Sequence, residues 1–374
     1  MKILERKIEV TDTNRAFLGF IFGLILIGFA AHIFHVNDFD FGNMQHGVRL
    51  ILAGVNPWAA QTRIADYYNP PFAVLFQWPM LFTTPRIYLT LGGALLFAFI
   101  FYKKEWVGLA WFGTNTFLWM IAAGGIDMFL VGSGLLLLFA GDRYYSRWQG
   151  LALRVLAYGL LMTKPQGTIF IVGLYFLLRW DWKGLVVSVL VYGLPFIHLY
   201  PDWIRVLTTD PPVYQTLTPH TLWGEYGPVL AGIVAVAVSL SRRWKYWQLG
   251  GALAGILAPY GMPGLPIFLT LTAVTKRAAI PIVMIYSACL AALTWVNPPT
   301  GVDYYSFINP RMTIYHLSML GLALALACLS GSTVQAEDGE TIALWDSIQG
   351  FWRRIKTGGV TTKPLAEPSS TQMD

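Results

Sequence analysis

Two carboxylates, Asp38 and Asp40, stand in "NDFDFG" just after a long apolar run. A carboxylate held beside a hydroxyl can take its proton as a general base. The same pair could hold a divalent cation, whereas one aspartate ahead of a helix can equally be its cap. The next stretch, "NMQHGVRLILAG", places Met44, Val48 and Ile51 on one helical face and Gln45, His46 and Arg49 elsewhere. That pattern suits a short helix lying in a membrane interface and ending at Gly54. Then comes "NPWAAQTRIADYYNPPF", residues 56 to 72. Trp58, Tyr67 and Tyr68 suit anchoring of the chain at a membrane interface. Asp66 is a loop carboxylate. Asn69 reads as an N-cap and Pro70 as a first helical residue, so the helix opening there would present free N–H groups and a favourable dipole to an anion. "TKPQ" repeats the device with Lys164, Pro165 and Gln166. A lysine at the centre of a bilayer costs roughly 2.5–3.5 kcal/mol. An anionic ligand, an acid such as Asp127, or snorkelling to the interface would each relieve Lys164. Further along, "PDWIRVLTTDPPVYQTLTPHTLWGEYG" carries Arg205 and His220, and Arg311 stands just above the last apolar run. A phosphate would suit Arg311. No cluster has metal-ligand spacing, and neither a P-loop nor a nucleophile elbow is present.

These residues need elements to hold them. The chain has 374 residues, 55% hydrophobic and 12% charged, against about 25% charged in soluble domains. With a mean hydropathy of +0.53, this predicts an all-α, polytopic integral membrane bundle. Apolar runs recur from residue 17 to residue 329 and imply about a dozen spans. Basic residues fall at every second connector: Lys103 and Lys104, Arg143 and Arg147, Arg179 and Lys183, Arg242 to Lys245, Lys276 and Arg277. Positive charge collects on the cytoplasmic side, so these connectors and both termini face inward. The net charge of +6 then reports topology and not nucleic-acid binding. The connectors 35–69, 123–127, 163–166, 201–226, 261–264 and 297–310 face outward, and the residues named above lie in them or at their edges. Parity requires the short, Pro79-containing "PPFAVLFQWPMLF" to be a partial or re-entrant helix. Residues 1–330 form the membrane unit. Residues 331–374 read as a cytoplasmic tail, with an amphipathic helix through Trp345, Ile348 and Trp352 and a disordered end. Cys289 and Cys328 lie in apolar segments and read as small hydrophobes.

In order and spacing these motifs resemble the C-type glycosyltransferases, specifically the mannosyltransferase-like glycosyltransferase family 87. The resemblance rests on Asp40-Phe41 followed by "GVNPW" from Gly54, on "YNPPF" from Tyr68, and on "KPQ" from Lys164, and it covers roughly residues 17 to 200. Asn43, Met44 and Gln45 stand where the family often has tyrosines, and Trp58 stands where a tyrosine is common. The resemblance implies transfer of a sugar, a mannose-like hexose or a pentose, from a polyprenyl-phosphate donor to a glycan or glycolipid acceptor. The reaction would take place at the outer face of the plasma membrane and invert configuration. Asp40 would be the general base, with Asp38 the second candidate. The donor phosphate would sit against Lys164, with Arg311 or Arg205. Trp58, Asp66, Tyr67, Tyr68, Asn69, Asp127, Gln166 and His220 would meet the substrates. No cofactor is implied beyond a divalent cation at the acids. Two other classes fit the composition: a transporter or lipid flippase, and a catalytically silent membrane partner subunit.

Overall fold

The computed structural model describes residues 11–33, 36, 39–62, 67–113, 117 and 127–209, with isolated positions beyond (246–247, 250–251, 280–281, 284, 288, 350, 352–353 and 356). The described residues are helical and contain no strand. Helix α1 (Asp12–Ile33) is followed by α2 (Phe39–Leu52) and a broken helix, in which α3 (Val74–Gln77) is flanked by 3₁₀ turns at Pro71–Ala73 and Trp78–Phe82. Then come α4 (Pro85–Lys103), a 3₁₀ stretch Trp106–Gly113, α5 (Asp127–Arg143), α6 (Trp148–Met162) and α7 (Pro165–Arg179). Helix α8 (Trp182–Ser188) runs on through a π-turn at Val189–Gly193 and a 3₁₀ turn at Leu194–Phe196. The chain then bends by 91° into α9 (Tyr200–Thr209).

Local chemistry sets these boundaries. Thr84 caps α4 by accepting from the Ile87 N–H at 3.4 Å, and Pro85 supplies the first helical residue. Asp181 caps α8 through the Gly184 N–H at 3.2 Å. Helix α2 closes in a Schellman turn: the Gly54 N–H donates to Ile51 and the Val55 N–H to Leu50, with Gly54 at φ 74°.

Packing runs as a chain of neighbours: α1 on α4, α4 on α5, α5 on α6, and α6 on both α7 and α8. Glycines allow the first of these contacts. Gly19, Gly23, Ile27 and Ala31 form the buried stripe of α1, and a Cβ at Gly23 would stand 2.7 Å from the Ala94 Cα. The rest of α1 presents Phe17, Ile21, Phe22, Ile25 and Phe29 outward. One small-residue face against protein and one bulky apolar face outward is the pattern of a lipid-facing helix.

By length and composition, α1 and α4 are apolar enough to cross a membrane, and the bent segment Trp182–Thr209 is a third candidate. Helices α5, α6 and α7 have 17, 15 and 15 residues, short of the ~20 of an ideal span. The expected dozen spans are therefore two or three among the described residues, and most of the later apolar runs lie outside them. The Pro71–Phe82 piece has only the length of a partial helix, as its parity required. Of the tail, only Gly350, Trp352, Arg353 and Lys356 are described, and they are helical.

The described basic connectors, at 103–104, 143–147 and 179–183, meet at one end; those at 242–245 and 276–277 lie outside the described residues. Arg143 reaches Asp12 at 3.7 Å and the Tyr102 hydroxyl at 3.4 Å. Lys103 lies over the rings of Phe139 and Trp247, at 4.2 and 5.0 Å. Arg179 pairs with Asp142, and the Tyr145 hydroxyl donates to the Arg179 carbonyl at 3.1 Å. Burial and then the Asp181 charge push the Tyr145 phenol up to about 12, so it stays a donor at neutral pH. Beneath this end lies an ion pair that was not anticipated. Arg154 Nε donates to Asp181 Oδ2 at 2.7 Å, with the two side chains 3% and 2% exposed. The Tyr158 hydroxyl donates to the same carboxylate at 2.9 Å, and Arg154 Nη1 donates to the Gly141 and Tyr145 carbonyls at 3.2 Å each.

Candidate functional site

The other end gathers the sequence motifs. Helix α2 begins four residues before the stretch whose amphipathic pattern announced it, because Phe41 joins Met44 and Val48 on its buried side. Asp40 is thereby the second residue of a 14-residue helix, where a negative charge suits the dipole. Phe41 packs edge-on against Tyr88 at 5.8 Å, and Tyr88 lies 4.5 Å from Phe129. Phe129 is in the first turn of α5, the helix that Asp127 opens. The starts of α2 and α5 thus meet across Tyr88. One apolar cluster joins Phe41, Met44, Trp58, Tyr67, Met80, Tyr88, Leu130, Leu160, Leu199 and Val206. Leu160 belongs to the last turn of α6, and Lys164 follows as the N-cap residue of α7, half-buried and with its carbonyl accepting from the Thr168 hydroxyl at 3.1 Å. Three motif segments, around Asp40, around Trp58 to Pro71 and around Lys164, therefore converge on one end of the bundle.

The loop between α2 and α3 is more solid than its turn-rich composition suggests. Trp58 and Tyr67 are 1% and 2% exposed, with rings stacked at 5.5 Å and 23°. The Trp58 indole N–H donates to the Tyr67 carbonyl at 3.0 Å. The Tyr67 hydroxyl donates to Gln77 Oε1 at 3.3 Å, and burial holds this phenol well above its ordinary range. Gly47 of α2 closes on the same ring, where a Cβ would come within 2.6 Å of its carbons. These two aromatics are spent on the loop's own core and offer no ring face to a sugar, contrary to expectation. The cause is mutual burial, which removes more apolar area from water than an exposed platform would. Tyr68 is half-buried and packs against the same cluster.

Two further expectations change. Asn69 is buried, and the cap of the following turn is Pro70 (φ −63°, ψ 154°), with Pro71 as its first residue. A proline pair shifts the start by one because the residue before a proline is held extended. That first turn is the 3₁₀ piece Pro71–Ala73, which runs on directly into α3. The segment from 201 also departs from a loop. Leu199, Trp203 and Val206 recur at helical spacing and seat α9 against the cluster. On α9, Arg205 is paired with Asp202 at 2.9 Å and donates to the Trp58 carbonyl at 3.3 Å. In this structure its guanidinium anchors the loop. Asp202 and Trp203 were not singled out from sequence. Their signal was the amphipathic spacing of "YPDWIRV" itself.

Asp38, Asp66, His220 and Arg311 lie outside the described residues. Among the described residues no group of three or more His, Cys, Asp or Glu could hold a metal ion. No family model matches the chain, and no curated protein or solved structure matches it.

Proposed function

We propose that the protein is a membrane glycosyltransferase that moves a sugar from a polyprenyl-phosphate donor to an acceptor hydroxyl at the outer face of the plasma membrane, with inversion. Asp40 takes the proton of the acceptor hydroxyl, and that oxygen attacks the anomeric carbon. The bond from the anomeric carbon to the lipid-phosphate oxygen breaks, and the lipid phosphate leaves with its electron pair. Lys164, with Arg311, stabilises the phosphate charge. Tyr68, Asp127 and Gln166 contact the sugars, with Asp66 and His220 from the same connectors.

The observation that supports this reading is the meeting of the Asp40, Gly54–Pro71 and Lys164 motifs around one apolar cluster, at the end opposite the basic connectors. A soluble donor would not require the motifs at the end of a lipid-facing bundle, and a lipid-linked one would. The test uses purified protein in lipid nanodiscs with a radiolabelled polyprenyl-phosphate sugar and mixed glycan acceptors. Wild-type protein transfers label. Asp40→Asn lowers kcat by about 10²–10⁴-fold, the usual contribution of a general base, with unchanged thermal unfolding. Full activity in Asp40→Asn removes Asp40 from the mechanism. No transfer by the wild type, with label instead moved between leaflets of a vesicle, supports a flippase.

A further inference from the structure

The loop that carries the Trp58 and Tyr68 motifs is held from a distance. Asn56 opens it, and its side-chain amide and its carbonyl are engaged. Its Nδ2 donates to Asp202 Oδ2 at 2.7 Å, its Oδ1 accepts from the Trp58 N–H at 3.0 Å, and its carbonyl accepts from the Thr62 hydroxyl. Asp202 is shared, since its other oxygen accepts from Arg205 Nη2 at 2.9 Å, and Arg205 also donates to the Trp58 carbonyl at 3.3 Å. A second tie comes from the next residue, where the Trp203 indole donates to the Tyr68 carbonyl at 3.0 Å. Helix α9 thus grips the loop at both ends, at Asn56 to Trp58 and at Tyr68.

Its own footing is fixed. The 91° bend before it follows a π-turn and Pro195, which lacks the N–H to continue a helix. The Tyr200 hydroxyl donates across that bend to the Tyr192 carbonyl at 3.0 Å. The Tyr192 hydroxyl donates in turn to the Val155 carbonyl of α6 at 3.0 Å. An arm tied to α6 at one side and to the loop at the other transmits a fixed reference.

We infer that Asp202 is a positioning residue of the candidate site: through Asn56 it latches the Asn56–Trp58 turn to α9 and so holds α2, whose first turn carries Asp40. What the latch positions rests on the glycosyltransferase reading; the latch itself does not. Reversal of donor and acceptor tests it. Asn56→Asp keeps the Trp58 N–H contact but sets two carboxylates 2.7 Å apart in place of a hydrogen bond. Asn56→Asp with Asp202→Asn restores the bond with its direction reversed and leaves an acceptor for Arg205. In nanodiscs, Asn56→Asp raises amide hydrogen exchange in residues 54–62 by about tenfold, the scale of one charge-assisted hydrogen bond. Exchange within α4 stays as in wild type, and the double variant returns to wild-type protection. In the transfer assay Asn56→Asp lowers kcat about tenfold with the donor KM unchanged, because α7 and Lys164 take no part in the latch, and the double variant recovers. Wild-type exchange in Asn56→Asp, or a double variant that stays unprotected, overturns the latch. Restored protection without restored kcat overturns its positioning role. If the wild type transfers no sugar, the glycosyltransferase reading falls, and exchange alone decides the latch.

Discussion

Arg154 shows what a single buried charge demands in this molecule. Its guanidinium lies between α6 and the cap of α8, and its donors reach one carboxylate and two carbonyls. The Tyr145 ring covers it at 4.0 Å. Removing one partner leaves the other charged and buried, which costs about 3–5 kcal/mol, whereas replacing both is often close to neutral. Arg154→Met is therefore expected to lower thermal stability in detergent sharply. Arg154→Met with Asp181→Asn should recover most of the loss, since the asparagine Oδ1 can still accept from the Gly184 N–H while its Nδ2 donates to the Tyr158 oxygen. If the double variant is as unstable as the single one, the pair is stabilising in itself, and the desolvation argument fails here. The same residue logic separates the two ends. At the basic end charges are paired across helices, while Asp40 stands second in a helix, where a negative charge suits the dipole.

At the scale of elements, glycine decides how closely α2 and the loop approach. Gly47 lies under the Tyr67 ring, and any Cβ there would sit at 2.6–2.7 Å from three ring carbons. The ring cannot yield easily, because Trp58 is stacked on it and Gln77 holds its hydroxyl. Gly47→Val should thus displace Tyr67 and the loop together, at an overpacking cost of about 1–3 kcal/mol. Gly47→Val with Tyr67→Ala makes room and should restore the melting temperature in part, though the Trp58 stack is lost. Limited proteolysis between residues 56 and 62 is the more direct readout: rapid cleavage in Gly47→Val and slow cleavage in wild type. Equal cleavage would mean that the loop does not depend on this contact. Gly42, also on α2, has open space beside it, so Gly42→Ala serves as the matched control with little effect.

For the whole molecule, charge was the feature most legible in the sequence. Lys103, Arg143 and Arg179 alternate along the chain and meet at one end, because a cation must reach water or a counter-charge whatever the helices do. The Asn56–Asp202 latch was not legible, since its members are 146 residues apart and neither has a local signature. Trp58 and Tyr67 misled for another reason: an aromatic in a polar loop looks the same whether it faces a sugar or its neighbour. The two-ended arrangement makes a prediction that composition alone does not. Ser146 is exposed in the turn before α6, and Ala60 is exposed in the loop that packs beside the last turn of α6. Fifteen helical residues separate those ends by about 22 Å. In a background with Cys289 and Cys328 replaced by serine, Ala60→Cys should react with an impermeant maleimide in intact cells. Ser146→Cys should react only after the membrane is opened. The reverse pattern would put the Asp40 end in the cytoplasm and rule out outer-face chemistry. Labelling of both from one side would mean that α6 does not cross, and that the bundle lies along the membrane instead of through it.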